Sequence, residues 1–257
     1  MAATATPPPA ASRYQAISAL VALQAAREAV KVWGSLTQAA AVLVRYQMIA
    51  ATLAEKAVPL VLADQHIPPA PLARLNVVGF TTPVDQFTAM AAKVDADWQR
   101  QRLIESVIQE TARAAQQAAL VVEPDHLGWV RHLTLPSCSR CAVLAGRIYR
   151  WSDGFQRHPG CDCTMVPVRE GDARLVVDPE EMVQSGQVSD LSKADRKAVL
   201  DGADLNQVVN VRRSQAGLTE AGQVLARRDR MTPAGIYRAA SSREEAMALL
   251  SQHGYLR

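Results

Sequence analysis

The chain has 257 residues and four cysteines, and all four lie between Cys138 and Cys163. They fall in two short groups: Cys138-Ser139-Arg140-Cys141 and, after a gap of 16 residues, His158-Pro159-Gly160-Cys161-Asp162-Cys163. In a CxxC the tight turn brings residues i and i+3 to one point, and the HPxCxC knuckle adds three donors. Zinc takes four soft or borderline ligands in a tetrahedron, so Cys138, Cys141, His158, Cys161 and Cys163 are five candidates for four places. In an extended CxC the two side chains point to opposite faces, whereas in a loop both can reach one ion. The preferred set is Cys138, Cys141, His158 and Cys163, with Cys161 as the substitute for His158. The expectation is one structural Zn2+ per chain, contributing folding free energy on the order of 10 kcal/mol. Disulfides or plain buried thiols are the alternatives, and Arg140, Arg147, Arg150 and Arg157 would keep thiolates reactive. A catalytic zinc needs an open position and a nearby carboxylate base. Asp153 and Asp162 are the only acids in the segment, and the H-x-E followed by P-C-x-x-C deaminase pattern is absent.

Thiols act as metal ligands chiefly in reducing compartments. MAATATPPPA at the N-terminus has no basic region and no apolar run, so no signal peptide is expected. No stretch reaches the ~18 apolar residues that span a bilayer, so no membrane partner is expected. Hydrophobic residues make up 49% and charged residues 21%, an ordinary globular balance. A net charge of +3 excludes a strongly basic nucleic-acid coat, though not a local basic patch.

The texture changes along the chain. Residues 1–11, with Pro7-Pro8-Pro9, read as a flexible, extended tail. Residues 12–122 read as a helical domain. From Ser12 to Ala57 one or two long helices are expected: Ile17, Leu20, Leu23 or Gln24, Arg27, Val30, Trp33 and Thr37 follow helical spacing imperfectly, with a wide apolar face around Leu36, Val42, Leu43 and Val44. Pro59, Pro68, Pro69 and Pro71 mark a connection. A second long run follows Thr82-Pro83 to about Val122, with Phe87, Met90, Val94, Trp98, Ile104, Ile108 and Ala112 at helical steps. Residues 123–178 form the zinc-binding segment. In it Trp129–Leu135 alternates as a strand, and Thr164–Val168 is a return strand placed near a sheet edge by Pro167. Residues 179–257 read as short helices near 191–201, 205–213, 232–240 and 242–253. The fold class expected is α+β and predominantly helical: long N-terminal helices, a small zinc-stapled β element and a helical C-terminal region.

The string from Gly128 to Val168 resembles the signature of the MuF-like phage head morphogenesis proteins, especially those of actinobacterial tailed phages. The matching positions are Cys138 and Cys141, Leu144-Ala145-Gly146, Tyr149 or Trp151, Phe155, Arg157-His158-Pro159, Cys161, Cys163 and Pro167. A second stretch, Asp201 to Asn210 with Arg212 and Arg213, is similar to the family's GAD and QVVN elements. The ending from Thr232-Pro233 to Tyr255 fits the same group. The resemblance covers about residues 123–257 and implies a minor capsid protein of the virion. Such a protein sits in the phage head interior or at the portal vertex and is made in the host cytoplasm during assembly. Portal, major capsid and scaffold proteins are its implied partners.

Some relatives are described as capsid maturation proteases, which makes a protease the leading enzymatic alternative. A serine-protease site needs a nucleophile, a base and an orienting group that converge in space. Ser137, Ser152, His126, His132 and His158 are the available groups, but no GxSxG elbow is present, and no catalytic residue is assigned. A zinc-ribbon nucleic-acid-binding protein is the second alternative. Arg212, Arg213, Arg227, Arg228 and Arg230 would give packaged DNA weak, salt-sensitive contacts, or form a solvated face. Asn206 and Asn210 share a helix face. Trp98, Trp129 and Trp151 are expected in the core.

Overall fold

The computed structural model describes residues 6–70, 75–123, 127–156, 158, 161, 163–169, 171–215 and 231–256. Among them it holds ten α-helices and one three-stranded antiparallel sheet, an α+β fold that is predominantly helical. The chain divides into two units, each discontinuous in sequence. The first comprises Ala5–His132 with Arg147–Leu175; the second comprises Leu133–Gly146 with Val176–Arg257, together with Met1–Thr4 outside the described residues.

In the first unit, α1 (Pro9–Lys31), α2 (Leu36–Asp64) and α4 (Asp97–Val121) pack pairwise into a bundle, with the short α3 (Val84–Ala91) beside it. Alanine makes the contact: Ala22, Ala25, Ala26 and Ala29 of α1 are buried with Ala39, Ala40 and Ala50 of α2. Small side chains let helix backbones approach closely, and Leu43, Phe87, Ile104 and Ile108 fill the remaining space. Ile17 and Leu20 are exposed on α1. Gln47 crosses the bundle core. Its Nε2 donates to Thr82 Oγ1 at 2.8 Å and Thr111 Oγ1 at 2.9 Å, while its Oε1 accepts from the Thr82 N–H at 2.9 Å.

Three boundaries differ from expectation. Helix α1 begins at Pro9, inside the stretch read as a tail; Ala10 and Ala11 are buried, and the Ala10 N–H donates to Asp64 at 2.6 Å. Proline fits the first helical turn, where its missing N–H costs nothing. Pro59 does not end α2, which runs on to Asp64. An internal proline costs ~3 kcal/mol or more. Val58 and Leu62 are buried in a cluster with Trp129, and Val61 is buried beside them. Each such side chain returns ~1.5–3 kcal/mol, so together they outweigh the break. The run from 82 to 122 is split after α3, because the Gln99 side chain reaches back to accept from the Asp95 and Ala96 N–H groups at 3.0 Å each and starts α4 afresh. Trp98 follows that restart and is 63% exposed, not buried.

The sheet belongs to the same unit. Strands β1 (Leu127–His132), β2 (Ile148–Arg150) and β3 (Thr164–Arg169) lie in the order β2-β1-β3, all antiparallel. Pro167 sits on the edge strand β3, opposite Trp129. Trp129 is fully buried and stacks on Tyr149 at 4.0 Å, with Phe155 at 5.3 Å on the same indole. Trp151, in the turn after β2, is 51% exposed, which corrects its assignment to the core.

The second unit contains α5 (Ser139–Ala145), α6 (Pro179–Gln184), α7 (Lys193–Leu200), α8 (Leu205–Gln215), α9 (Pro233–Ala239) and α10 (Arg243–Gln252). The last four match the expected short helices, whereas α5 and α6 were not anticipated. Asp178, Ser192, Thr232 and Ser242 each accept a backbone N–H as N-caps of α6, α7, α9 and α10. Gly146, which ends α5, has no room for a Cβ: the Pro179 ring lies 2.8 Å from where one would stand.

Candidate metal centre

The CxxC is built by the start of α5. Cys138 is its N-cap, and the Cys138 Sγ accepts the Cys141 N–H at 3.4 Å. N-cap and third helical position share one side of a first turn, which is why this spacing converges two sulfurs. The turn is held from outside by Asp190, whose carboxylate accepts the Ser139 N–H at 2.6 Å and its hydroxyl at 3.2 Å. Just before it, Ser137 forms an isolated bridge with the 187–189 segment: its N–H donates to the Gln187 carbonyl and its own carbonyl accepts from the Ser189 N–H.

In the HPxCxC element the Cys161 N–H donates to the His158 carbonyl at 3.1 Å. Two buried arginines grip it. Arg113 of α4 donates to the carbonyls of Cys161 at 2.6 Å and Cys163 at 2.9 Å. Arg131 of β1 donates to the Gln156 carbonyl and points Nη1 at Cys161 Sγ, 3.7 Å away. Both guanidinium groups face the Phe155 ring, at 5.0 Å for Arg113 and 3.9 Å for Arg131. Neither arginine was singled out from sequence, nor was Asp190. Arg131 is buried on β1, where an apolar residue is the default.

Cys141, Cys161 and Cys163 are each 2% exposed, while Cys138 and His158 are half-buried. No disulfide joins the four cysteines in the structure. Within one unit the sulfurs of Cys138 and Cys141 lie within 4.8 Å of each other, and within the other so do those of Cys161 and Cys163. The chemistry of the donors, thiolates with one imidazole, suits zinc over harder ions.

The remaining candidates are dispersed. Ser137 gives its hydroxyl to the Cys138 carbonyl at 3.4 Å, not to a histidine. Ser152 lies in an exposed turn. His132 ends β1, and burial pushes its imidazole below the ordinary range. His126 lies outside the described residues, as do Arg157, Arg227, Arg228 and Arg230. Arg212 and Arg213 fall on α8, whose side chains are described only as far as Val211. Asn210 donates to Asn206 at 2.5 Å on one exposed face of α8, so the pair bonds to itself.

No helix among the described residues is long and apolar enough to cross a membrane. No protein-family model, no curated protein and no solved structure matches the chain.

Proposed function

We propose that the protein is a minor capsid protein of the MuF-like type, acting in tailed-phage head assembly, with a structural zinc in its cysteine segment. One observation carries the reading. The residues that bear the resemblance, the CxxC and the HPxCxC, each bring two cysteine sulfurs within 4.8 Å of each other, as paired metal ligands require. Zinc would supply cross-linking and no chemistry of its own, because thiolates and an imidazole fill a tetrahedron without an open position. Its partners in this reading are portal, major capsid and scaffold proteins, with the protein in the head interior or at the portal vertex. A near-neutral chain with a net charge of +3 suits protein partners before DNA.

The test is co-expression with the portal, scaffold and major capsid proteins of a tailed phage. Purified procapsids should contain the chain in few copies and with bound zinc, and Cys163→Ser should reduce its incorporation. Procapsids that form normally and exclude the wild-type chain would overturn the assembly role. Specific cleavage of the major capsid protein, lost on substitution of Ser137 or His132, would replace it with the protease.

A further inference from the structure

The two edges of the sheet are treated differently. On the outer edge of β3 the carbonyls of Cys163, Met165 and Pro167 stand at alternate residues, and a helix side chain bonds to each. Arg113 donates to the first at 2.9 Å, Gln116 to the second at 3.2 Å and Gln65 to the third at 2.7 Å. Pro167 also removes an N–H from this edge. An open row of backbone groups is a template for another strand, and such cover blocks it. Strand β2 is the other edge. Where it ends, its own turn uses the backbone: the Arg150 N–H donates to Asp153 Oδ2 at 2.8 Å, and the Arg150 carbonyl accepts from the Asp153 N–H at 3.0 Å. Backbone groups of an edge strand alternate between the paired strand and the outside. With Arg150 turned outward, Tyr149 bonds to β1 and Ile148 turns outward as well. Among the described residues no side chain bonds to the Ile148 backbone. Beside it opens a cleft of about 310 Å³, lined by Arg147, Ile148, Tyr149, Asp153, Gly154 and Gln156. Arg147 and Arg150 are both exposed, and the Arg147 guanidinium lies 4.5 Å from the Tyr149 ring centre. The one carboxylate in the cleft, that of Asp153, is already engaged by the Arg150 N–H.

We propose that the β2 edge is a docking site for an extended, acidic peptide segment of a partner protein. The segment adds beside β2, exchanging hydrogen bonds with the Ile148 backbone, and an acidic side chain enters the cleft to meet Arg147. Main-chain bonds of this kind give affinity, and a side-chain pocket gives specificity. Charge complementarity selects the occupant, because two exposed guanidinium groups flank the open edge and like charges there would repel. All the residues involved belong to the first unit, and neither the zinc nor the capsid reading bears on them.

Selection of short random peptides on the full-length reduced protein tests this. The binders should be rich in aspartate and glutamate, and their affinity should fall as salt rises. Arg147→Glu should weaken them roughly tenfold or more, and replacing the peptide's acids by lysine should restore binding to that variant. N-methylation of alternate peptide amides should abolish binding in one register and spare it in the other, as strand addition requires. Circular dichroism checks the fold of Arg147→Glu; if it is lost, Arg147→Gln and the methylated peptides decide. A library that yields no binder, binders without acidic preference, undiminished binding to the folded variant, or indifference to methylation each overturns the proposal. A wild-type chain that dimerises in solution, with the dimer lost in Arg147→Glu, overturns it in favour of a second copy on the same edge.

Discussion

A Cβ on Gly128 would run into the Tyr149 carbonyl oxygen of β2 and stand 3.1 Å from the Ile148 side chain. Backbone cannot yield there without loosening the stack of Tyr149 on Trp129. Gly128→Ala should therefore behave as overpacking and cost about 1–3 kcal/mol. Urea unfolding would show it as a lower midpoint with an unchanged slope, and an unshifted midpoint would mean that β2 moves freely. The four cysteines and His158 are legible as ligands because their spacing alone encodes convergence. Arg113, Arg131 and Asp190 are not, since each works through a backbone carbonyl, a sulfur or an N–H far away in sequence. Trp98 and Trp151 show the opposite failure. Size and apolarity suggested burial, but one follows a helix restart and the other occupies a turn.

Among the elements, those that announce themselves carry local punctuation. Asp178-Pro179, Ser192, Thr232-Pro233 and Ser242 each open a helix with a cap bond that needs no distant partner. The break before α4 was hidden because its back-reaching Gln99 has no Ser or Thr to complete a capping box. Helix α5 was hidden because its cap is a cysteine and its first N–H is satisfied by Asp190, 51 residues on. Asp190→Ala should thus expose that N–H and cost ~1 kcal/mol. It should also weaken cobalt binding, because the start of α5 sets the two CxxC sulfurs; unchanged affinity would show that the metal alone sets the turn. A second tie joins α7 to α9 and α10. Asp201 accepts from Lys197 at 2.5 Å, Tyr237 at 2.7 Å and Arg243 at 3.3 Å. Burial by itself would raise the Asp201 carboxyl, but the three donors outweigh it and hold it below the usual range. A depressed carboxylate contributes stability that is present above its unfolded value, about 3.9, and is lost as pH falls through the folded one. Asp201→Asn should be destabilised by roughly 1–3 kcal/mol at pH 7. The gap to wild type should shrink below about pH 4; a gap that stays constant into acid would show that charge plays no part in the tie.

For the molecule as a whole, the question is how much of the fold depends on the metal. The bundle helices run 23, 29 and 25 residues and hold most of the helical backbone. Their buried clusters, Val21 to Ala50 with Ile104 to Ala112, and Tyr14 with Ala51 to Ala57 and Ala115, are built from these helices, joined by Phe87 of α3, and include no cysteine. The sheet is different. Its central Trp129 stacks on Tyr149 and touches Phe155, and Phe155 is pinned by the two arginines that hold the knuckle. Three strands are near the minimum for independent stability, so the segment that gains most from a structural zinc is this one. Stripping the reduced protein with a chelator should leave most of the far-ultraviolet helical signal in place. It should shift the fluorescence of Trp129, an effect absent in Trp129→Phe, and lower the melting temperature, with readdition of zinc reversing both changes. Helical signal that vanishes in step with the fluorescence would mean that the alanine-packed bundle cannot stand without the metal. A chelator that changes neither signal would mean that the cysteine cluster holds no structural ion.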